Sequence, residues 1–111
     1  MSKHVFTFFI AGGGELATRA LANFDRLIRP RLDSDCTLTV VDVLQEPRHA
    51  RQHRIIATPM LIREQPLPVI KILGDLSQDA KVLAQLGLDA RDEESLRLAA
   101  SSDEEQYGRA I

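Results

Sequence analysis

Two histidines and one cysteine are the side chains in this 111-residue sequence whose types and spacing come nearest to supporting chemistry. His49 and His53 are four positions apart, so on a helix they would share one face at a spacing that metal ligands also use. No glutamate is adjacent to either histidine and no third ligand is evident, so we expect a solvated helix face and no metal. Cys36 is the only cysteine, which leaves no partner for an intrachain disulfide or a CxxC redox pair.

A run of three glycines, Gly12 to Gly14, separates an apolar segment from a helical pattern. Glycines at such a junction can cradle a phosphate at the helix N-terminus. Neither Gly-Lys-Ser/Thr nor a G-x-G-x-x-G pattern accompanies the run, so we favour a flexible turn. The sequence also supports no Ser-His-Asp set and no carboxylate pair at a cleft. The residues therefore indicate no catalytic site and no cofactor site.

The segment from Arg48 to Arg54 is the most basic part of the chain, with three arginines and two histidines in seven residues. It fits either a solvated helix face or a protein-binding face, and both interpretations stay open. A nucleic-acid module is the weakest of the functions considered, because no aromatic residues are interleaved for base stacking. The formal net charge of −2 likewise gives no bulk attraction to nucleic acid or to a membrane surface.

Length and composition predict one folded domain with an acidic extension. Residues 1–90 form the predicted domain, whereas residues 91–111 have little to bury and are predicted to form a short frayed helix followed by a disordered tail. No apolar run approaches the ~20 residues that a membrane span needs, and the start lacks the apolar core of a signal peptide. We expect a cytoplasmic protein. The tail's acidic residues are Asp92, Glu93, Glu94, Asp103, Glu104 and Glu105.

The first half of the chain has the pattern of a strand, a helix and a second strand. His4 to Ala11 is almost continuously apolar, which is typical of a strand buried on both faces. Glu15 to Arg29 has helical spacing and should end at Pro30, and Cys36 to Leu44 is β-branched and apolar. Such a unit predicts two parallel strands. The predicted apolar face of the helix comprises Leu16, Ala20, Phe24, Leu27 and Ile28.

The second half predicts a helix, an antiparallel strand pair and a last helix. The basic segment forms the helix, with Pro47 at its first position, and Ile55-Ile56 returns the chain to the core. Two short apolar runs, Met60 to Ile62 and Val69 to Leu73, are joined by too few residues for a crossover helix, so they should pair antiparallel. The last helix runs from Ser77, as N-cap, to Leu86, with Gly87 as its C-cap.

The resulting order, β-α-β-α-β-β-α, is the thioredoxin arrangement, an α/β fold. In a thiol oxidoreductase the reactive cysteines would follow the first strand, where this chain has Ala11 to Glu15 and no thiol. Without a thiolate there is no nucleophile for disulfide exchange. Cys36 lies inside a predicted strand and is best interpreted as a small buried hydrophobe.

Several short segments together resemble the KaiB family of circadian clock proteins over about residues 5 to 88. They include Val40-Val41-Asp42-Val43-Leu44, Ile56-Ala57-Thr58-Pro59 and Pro66-Leu67-Pro68-Val69, followed by Gly74-Asp75-Leu76-Ser77. The resemblance implies a regulatory protein that is not an enzyme and that binds the N-terminal ATPase ring of a KaiC hexamer. It implies that KaiC is driven toward dephosphorylation, by capture of KaiA and displacement of a sensor histidine kinase. A divergent paralogue, or a thioredoxin-like adaptor or redox-stress protein outside the core clock, is the alternative.

The resemblance also implies two folds and a set of functional residues. The resting form would be a homo-oligomer, dimer or tetramer, whose C-terminal half follows the order β-α-β-β-α-α-β, and the partner-binding form would be the thioredoxin-like monomer. Basic positions that match the family and are predicted to contact partners are Arg19, Arg54, Arg63 and Lys71. Residues assigned to the fold switch are Pro59, Pro66, Pro68, Gly87 and Asp89. X-Pro bonds isomerise slowly, which predicts slow exchange between the two folds.

Overall fold

The computed structural model describes residues 3–32 and 35–89, which form a four-stranded sheet with helices on both faces. A π-helical turn at Phe24–Ile28 and a 3-10 turn at Arg29–Leu32 connect the first helix to the second strand. The strand order is β2-β1-β3-β4, so β4 is an edge strand. The elements are β1 (His4–Ile10), α1 (Glu15–Asn23), β2 (Cys36–Asp42), α2 (Pro47–Gln52), β3 (Met60–Gln65), β4 (Ile70–Leu73) and α3 (Asp79–Leu86).

Strand β1 is the centre of the molecule, and its burial on both faces confirms the prediction from its apolar run. Phe6, Phe8 and Phe9 are all 0% exposed. The strand pairs in parallel with β2, from His4 opposite Cys36 onward, and antiparallel with β3. Burying one phenylalanine side chain contributes about 1.5–3 kcal/mol, and net stability is only about 5–15 kcal/mol, so truncation of any one of these rings should be strongly destabilising.

The first face of the sheet carries most of the core. Helices α1 and α3 and the π-helical turn pack there, and the Phe24 ring meets Phe6 edge-on with ring centroids 5.2 Å apart. The predicted apolar face of α1 was wrong by one residue at its start. Leu16 is 52% exposed, and Ala17 fills the buried position one residue later.

The predicted extent of the first helix was also wrong. The α-helix ends at Asn23, and the chain then widens into the π-helical turn before tightening into the 3-10 turn that contains Pro30. Proline lacks the N–H that an α-helical bond requires, so the hydrogen-bond pattern changes before it. The wider turn keeps Phe24, Leu27 and Ile28 buried.

The second face of the sheet is covered much less. Helix α2 lies over a small cluster of Phe9, Val41 and Ile62, with Ile55 at its margin. The prediction that Ile55 and Ile56 both return to the core was wrong for Ile56, which is 94% exposed. Much of this face therefore lies outside the core.

The last helix begins two residues later than predicted. Ser77 is not its N-cap: the Ser77 backbone N–H donates to the Asp75 carboxylate, and Gln78 precedes the helix without a side-chain capping bond. Gly87 is the predicted C-cap, with a left-handed φ of 69° that glycine adopts without strain. The predicted tail from residue 91 lies outside the described residues.

Candidate partner-binding surface

The loop after β1 occupies the place where a thiol oxidoreductase carries its cysteines. The Asp42 side chain fixes this loop by accepting hydrogen bonds from the backbone N–H of Gly12 at 3.0 Å and of Leu44 at 2.9 Å. Gly12 has a φ of 74°, a conformation that favours glycine. The loop and the first turn of α1 line a depression, and none of its lining residues contains sulfur. These residues are Ile10, Ala11, Gly14, Glu15, Leu16, Ala17, Thr58 and Pro59.

Cys36 lies at the opposite end of the sheet. It begins β2 and pairs with His4, so about 20 Å of strand separates it from the loop after β1. The thiol is partly buried, and this burial raises the pKa of Cys36. A raised pKa disfavours the thiolate, so this position is a poor nucleophile.

The two histidines of α2 and its C-terminal end pack against the core. Their rings are 5.2 Å apart, and the Phe9 ring centroid is 5.2 Å from that of His53 and 6.0 Å from that of His49. Within residues 3–32 and 35–89, no three histidine, cysteine, aspartate or glutamate side chains come together as metal ligands would. The geometry gives this pair a packing role.

Arg19 lies on α1, on the first face of the sheet. Its guanidinium forms ion pairs with Glu15 at 3.3 Å and with Asp75 at 3.2 Å. Asn23, one turn later, donates to the Asp75 carbonyl at 2.8 Å. Arg19 is therefore already bound to the segment between β4 and α3.

Arg63 is placed inside the protein rather than on its surface. It is only 9% exposed, and its guanidinium donates to the carbonyl oxygens of Leu86 at 3.0 Å and Pro68 at 3.1 Å. Its Nε has no hydrogen-bond partner. A signal for this burial was present in the sequence, because Arg63 is two residues from Leu61 and so shares the core-facing side of β3.

Arg54 and Lys71 are the two predicted contact residues that the fold brings together. Both line a shallow depression on the second face of the sheet, which we call the Arg54–Lys71 surface. The Lys71 ammonium donates to the His53 carbonyl at 3.1 Å, which ties β4 to the end of α2. Both cations are exposed, as is Leu73, which is 60% exposed on the same side of β4 as Lys71. The surface comprises Gln52, His53, Arg54, Ile62, Glu64, Val69 and Lys71.

The residues assigned to the fold switch are distributed over the second half of the chain. Pro59 precedes β3, whereas Pro66 and Pro68 lie in the link between β3 and β4, and all three follow cis peptide bonds. Gly87 ends α3, and Asp89 is the last described residue. Their assigned role stays a prediction.

Sequence reasoning missed an ion-pair clamp between the first and last helical segments. The Arg26 guanidinium donates to both oxygens of the Asp79 carboxylate, at 3.0 Å each. Hydrogen bonding from Arg26 lowers the pKa of Asp79, and bonds from Ser77 lower the pKa of Asp75. The sequence does show that Asp79 is an acidic residue in the first turn of a helix, where it is stabilising, but its partner Arg26 is 53 residues away and could not be predicted.

Comparison with known proteins identifies the family to which this fold and sequence belong. The KaiB domain family model matches residues 7–88, which run from within β1 to just beyond α3. The chain belongs to the KaiB family. This confirms the resemblance found in the sequence, and KaiB relatives are circadian clock proteins by name.

Two KaiB relatives illustrate how much of the chain is shared. The circadian clock protein KaiB3 of Synechocystis sp. is 36% identical over 89 residues, covering 80% of this chain and 85% of the relative. The circadian clock oscillator protein KaiB of Picosynechococcus sp. is 40% identical over 93 residues, covering 84% and 88%. The similarity therefore extends over nearly all the described elements.

Solved structures confirm the thioredoxin-like fold of this KaiB chain. The N-terminal domain of Synechococcus elongatus SasA superposes with a TM-score of 0.65 at 16% identity, over 78% of this chain and 81% of that domain. Oxidised mitochondrial thioredoxin 3 of Saccharomyces cerevisiae gives a TM-score of 0.56 at 20% identity, over 68% and 70%. At these identities the likeness concerns the fold alone.

Proposed function

We propose that this KaiB-family protein regulates a circadian clock by binding the N-terminal ATPase ring of a KaiC-type hexamer through its Arg54–Lys71 surface. Membership of a clock protein family over residues 7–88 is the observation that carries the proposal. Binding would drive the hexamer toward dephosphorylation, through sequestration of KaiA and displacement of a sensor histidine kinase. The protein would act in the cytoplasm and rest as a homo-oligomer, a dimer or a tetramer.

The physical character of the Arg54–Lys71 surface suits a protein partner. It combines two exposed cations with apolar side chains, and Val69 is 52% exposed. Protein interfaces are assembled from an apolar centre and a polar rim, and rim charges set the rate and specificity of association. The bond from Lys71 to His53 fixes part of this surface in advance, which lowers the ordering cost of binding.

Arg19 and Arg63 contribute differently in this proposal. Arg19 would contact a partner from the first face of the sheet, in exchange for its ion pair with Asp75. Arg63, nearly buried, would support the surface from below, because it holds the Pro68 carbonyl next to Val69. Arg54 and Lys71 are therefore the residues on which a binding test should concentrate.

Charge reversal at Arg54 and Lys71 tests the proposal. The double variant R54E/K71E should bind the KaiC-type ATPase from the same source severalfold or more weakly, because like charges at an interface are costly. Isothermal titration calorimetry measures the affinity, and size-exclusion chromatography checks that the complex forms.

Lys3→Glu is the matched control for this double variant. Lys3 is an exposed cation that precedes β1 and is not among the residues that line the Arg54–Lys71 surface, so its reversal should leave the affinity unchanged. Equal affinities for the double variant and the native protein would remove this surface from the interface. Failure of the native protein to bind any such ATPase would refute the function itself.

A further inference from the structure

The second face of the sheet carries a group of exposed cations without carboxylate partners. On the first face, Arg19, Arg26 and Arg29 each have a carboxylate partner within 3.3 Å, whereas Arg31 and Lys81 form no ion pair with a carboxylate of residues 3–32 or 35–89. On the second face, we group four exposed cations as the basic strip, and none of them forms an ion pair with a carboxylate of residues 3–32 or 35–89. The basic strip comprises Arg48, Arg51, Arg54 and Lys71.

The basic strip is continuous. Arg48 and Arg51 line one shallow depression and Arg54 and Lys71 line the next, and the two depressions share Gln52. Two carboxylates line the same depressions: Glu64 accepts from the Thr7 hydroxyl, and Glu46 lies 3.7 Å from His49. Four cations against these two carboxylates leave an excess of positive charge on this part of the surface.

We propose that the acidic segment 90–111 of this same chain docks on the basic strip and covers the partner-binding surface. Its six carboxylates and three arginines give it a net charge of −3, opposite to that of the strip. Docking of an acidic segment on four cations is favoured by charge complementarity. Because both are in one molecule, binding is assisted by an effective concentration in the millimolar range for a short linker.

The place where the chain leaves the fold favours this segment over an external acidic partner. Arg63 donates to the Leu86 carbonyl at the end of α3 and to the Pro68 carbonyl. The end of α3 is thereby held near Pro68, whose neighbour Val69 belongs to the Arg54–Lys71 surface. Strand β4 is at the edge of the sheet, so the chain has only to pass around this edge to reach the second face. From Asp89, fourteen residues extend up to about 45 Å, which brings the second acidic group, Asp103 to Glu105, within reach.

Paramagnetic relaxation in the full-length chain tests the docking. A Cys36→Ser, Ser101→Cys protein carries a nitroxide between the two acidic groups of the segment, and amide broadening is measured by NMR. The amides of Arg54 and Lys71 should broaden severalfold more than that of Arg26, which lies in the π-helical turn on the first face of the sheet. Raising the salt from about 0.1 M to about 1 M shortens the screening length from about 10 Å to about 3 Å and should remove the difference.

Two further samples make the result decisive. In the same labelled protein, R54E/K71E should abolish the selective broadening, whereas Lys3→Glu should leave it unchanged. A mixture of isotope-labelled protein with nitroxide-labelled protein lacking the isotope reports contacts between copies. Broadening that appears only in this mixture, or that is equal on both faces of the sheet, would overturn the proposal.

A second consequence rests on the proposed function. Replacing the six carboxylates of the segment by amides should free the surface and tighten binding to the KaiC-type ATPase severalfold. The relaxation experiment needs no ATPase, so a missing complex would refute the proposed function without touching the docking. Selective broadening together with unchanged ATPase affinity in the amide variant would refute the covering role.

Discussion

Arg63 joins two separate parts of the chain through one nearly buried guanidinium. Its donors reach the carbonyl oxygens of Leu86 at the end of α3 and of Pro68 before β4. Strand alternation predicts which side of β3 this residue faces, because Leu61 shares that side. It cannot predict the two acceptors, which lie 23 and 5 residues away and meet only after α3 packs against the sheet.

Removing this side chain should destabilise the domain. Arg63→Ala leaves two backbone carbonyls without their donors, and we expect the free energy of unfolding to fall by about 2–4 kcal/mol. Urea denaturation followed by circular dichroism measures it. Arg63→Lys retains the charge but cannot donate to both carbonyls, so its free energy of unfolding should lie between those of the native protein and Arg63→Ala. Lys81→Ala, at an exposed site, should stay within about 0.5 kcal/mol of the native protein. A change this small for Arg63→Ala would contradict the role.

At the scale of elements, the sheet is more predictable than the helices. The unbroken apolar run of β1 is typical of burial on both faces, so the central position of this strand follows from the sequence. Helix ends are harder to predict, because several polar residues near an end can each hydrogen-bond the backbone there. Before α3, the Asp75 carboxylate accepts from the Ser77 backbone N–H, and the helix begins at Asp79.

The Arg26–Asp79 clamp between the π-helical turn and α3 predicts acid sensitivity. Hydrogen bonding from Arg26 lowers the pKa of Asp79 below its ordinary value of 3.8. A carboxylate with a lowered folded-state pKa stabilises the fold fully above its unfolded pKa, and that stability is lost as the pH falls through the folded value.

Asp79→Asn tests this linkage. The variant should be less stable than the native protein near neutral pH, and the difference should shrink as the pH falls below about 4. Urea midpoints measured from pH 7 downward provide the comparison. Asp25→Asn is the control, since Asp25 pairs with Arg29 four residues away and does not join the turn to α3. A difference that is the same at every pH would show that Asp79 acts by something other than its charge.

At the scale of the whole molecule, burial is distributed unevenly along the chain. The first half holds the fully buried phenylalanines, whereas α2 buries only Ala50 of its own residues and β4 buries only Ile72. Short elements with few buried residues open and rearrange at low cost. The second half of the chain, whose apolar runs fit more than one kind of element, is therefore also the half with fewer buried side chains. The family's second arrangement, β-α-β-β-α-α-β, stays a prediction.

Fold switching should be visible as concentration-dependent exchange. We expect two states that share residues 4–44 and differ from about Ile55 onward, because two packings of a sparsely buried half can differ by only a few kcal/mol. If the second state is the homo-oligomer, mass action stabilises it at high concentration, and dilution should favour the thioredoxin-like monomer described here. Amide NMR spectra across a dilution series measure both populations, and the peaks of residues 4–44 serve as the internal reference. One set of peaks for residues 55–89 at every concentration, with no change in oligomeric size, would leave a protein with a single thioredoxin-like fold.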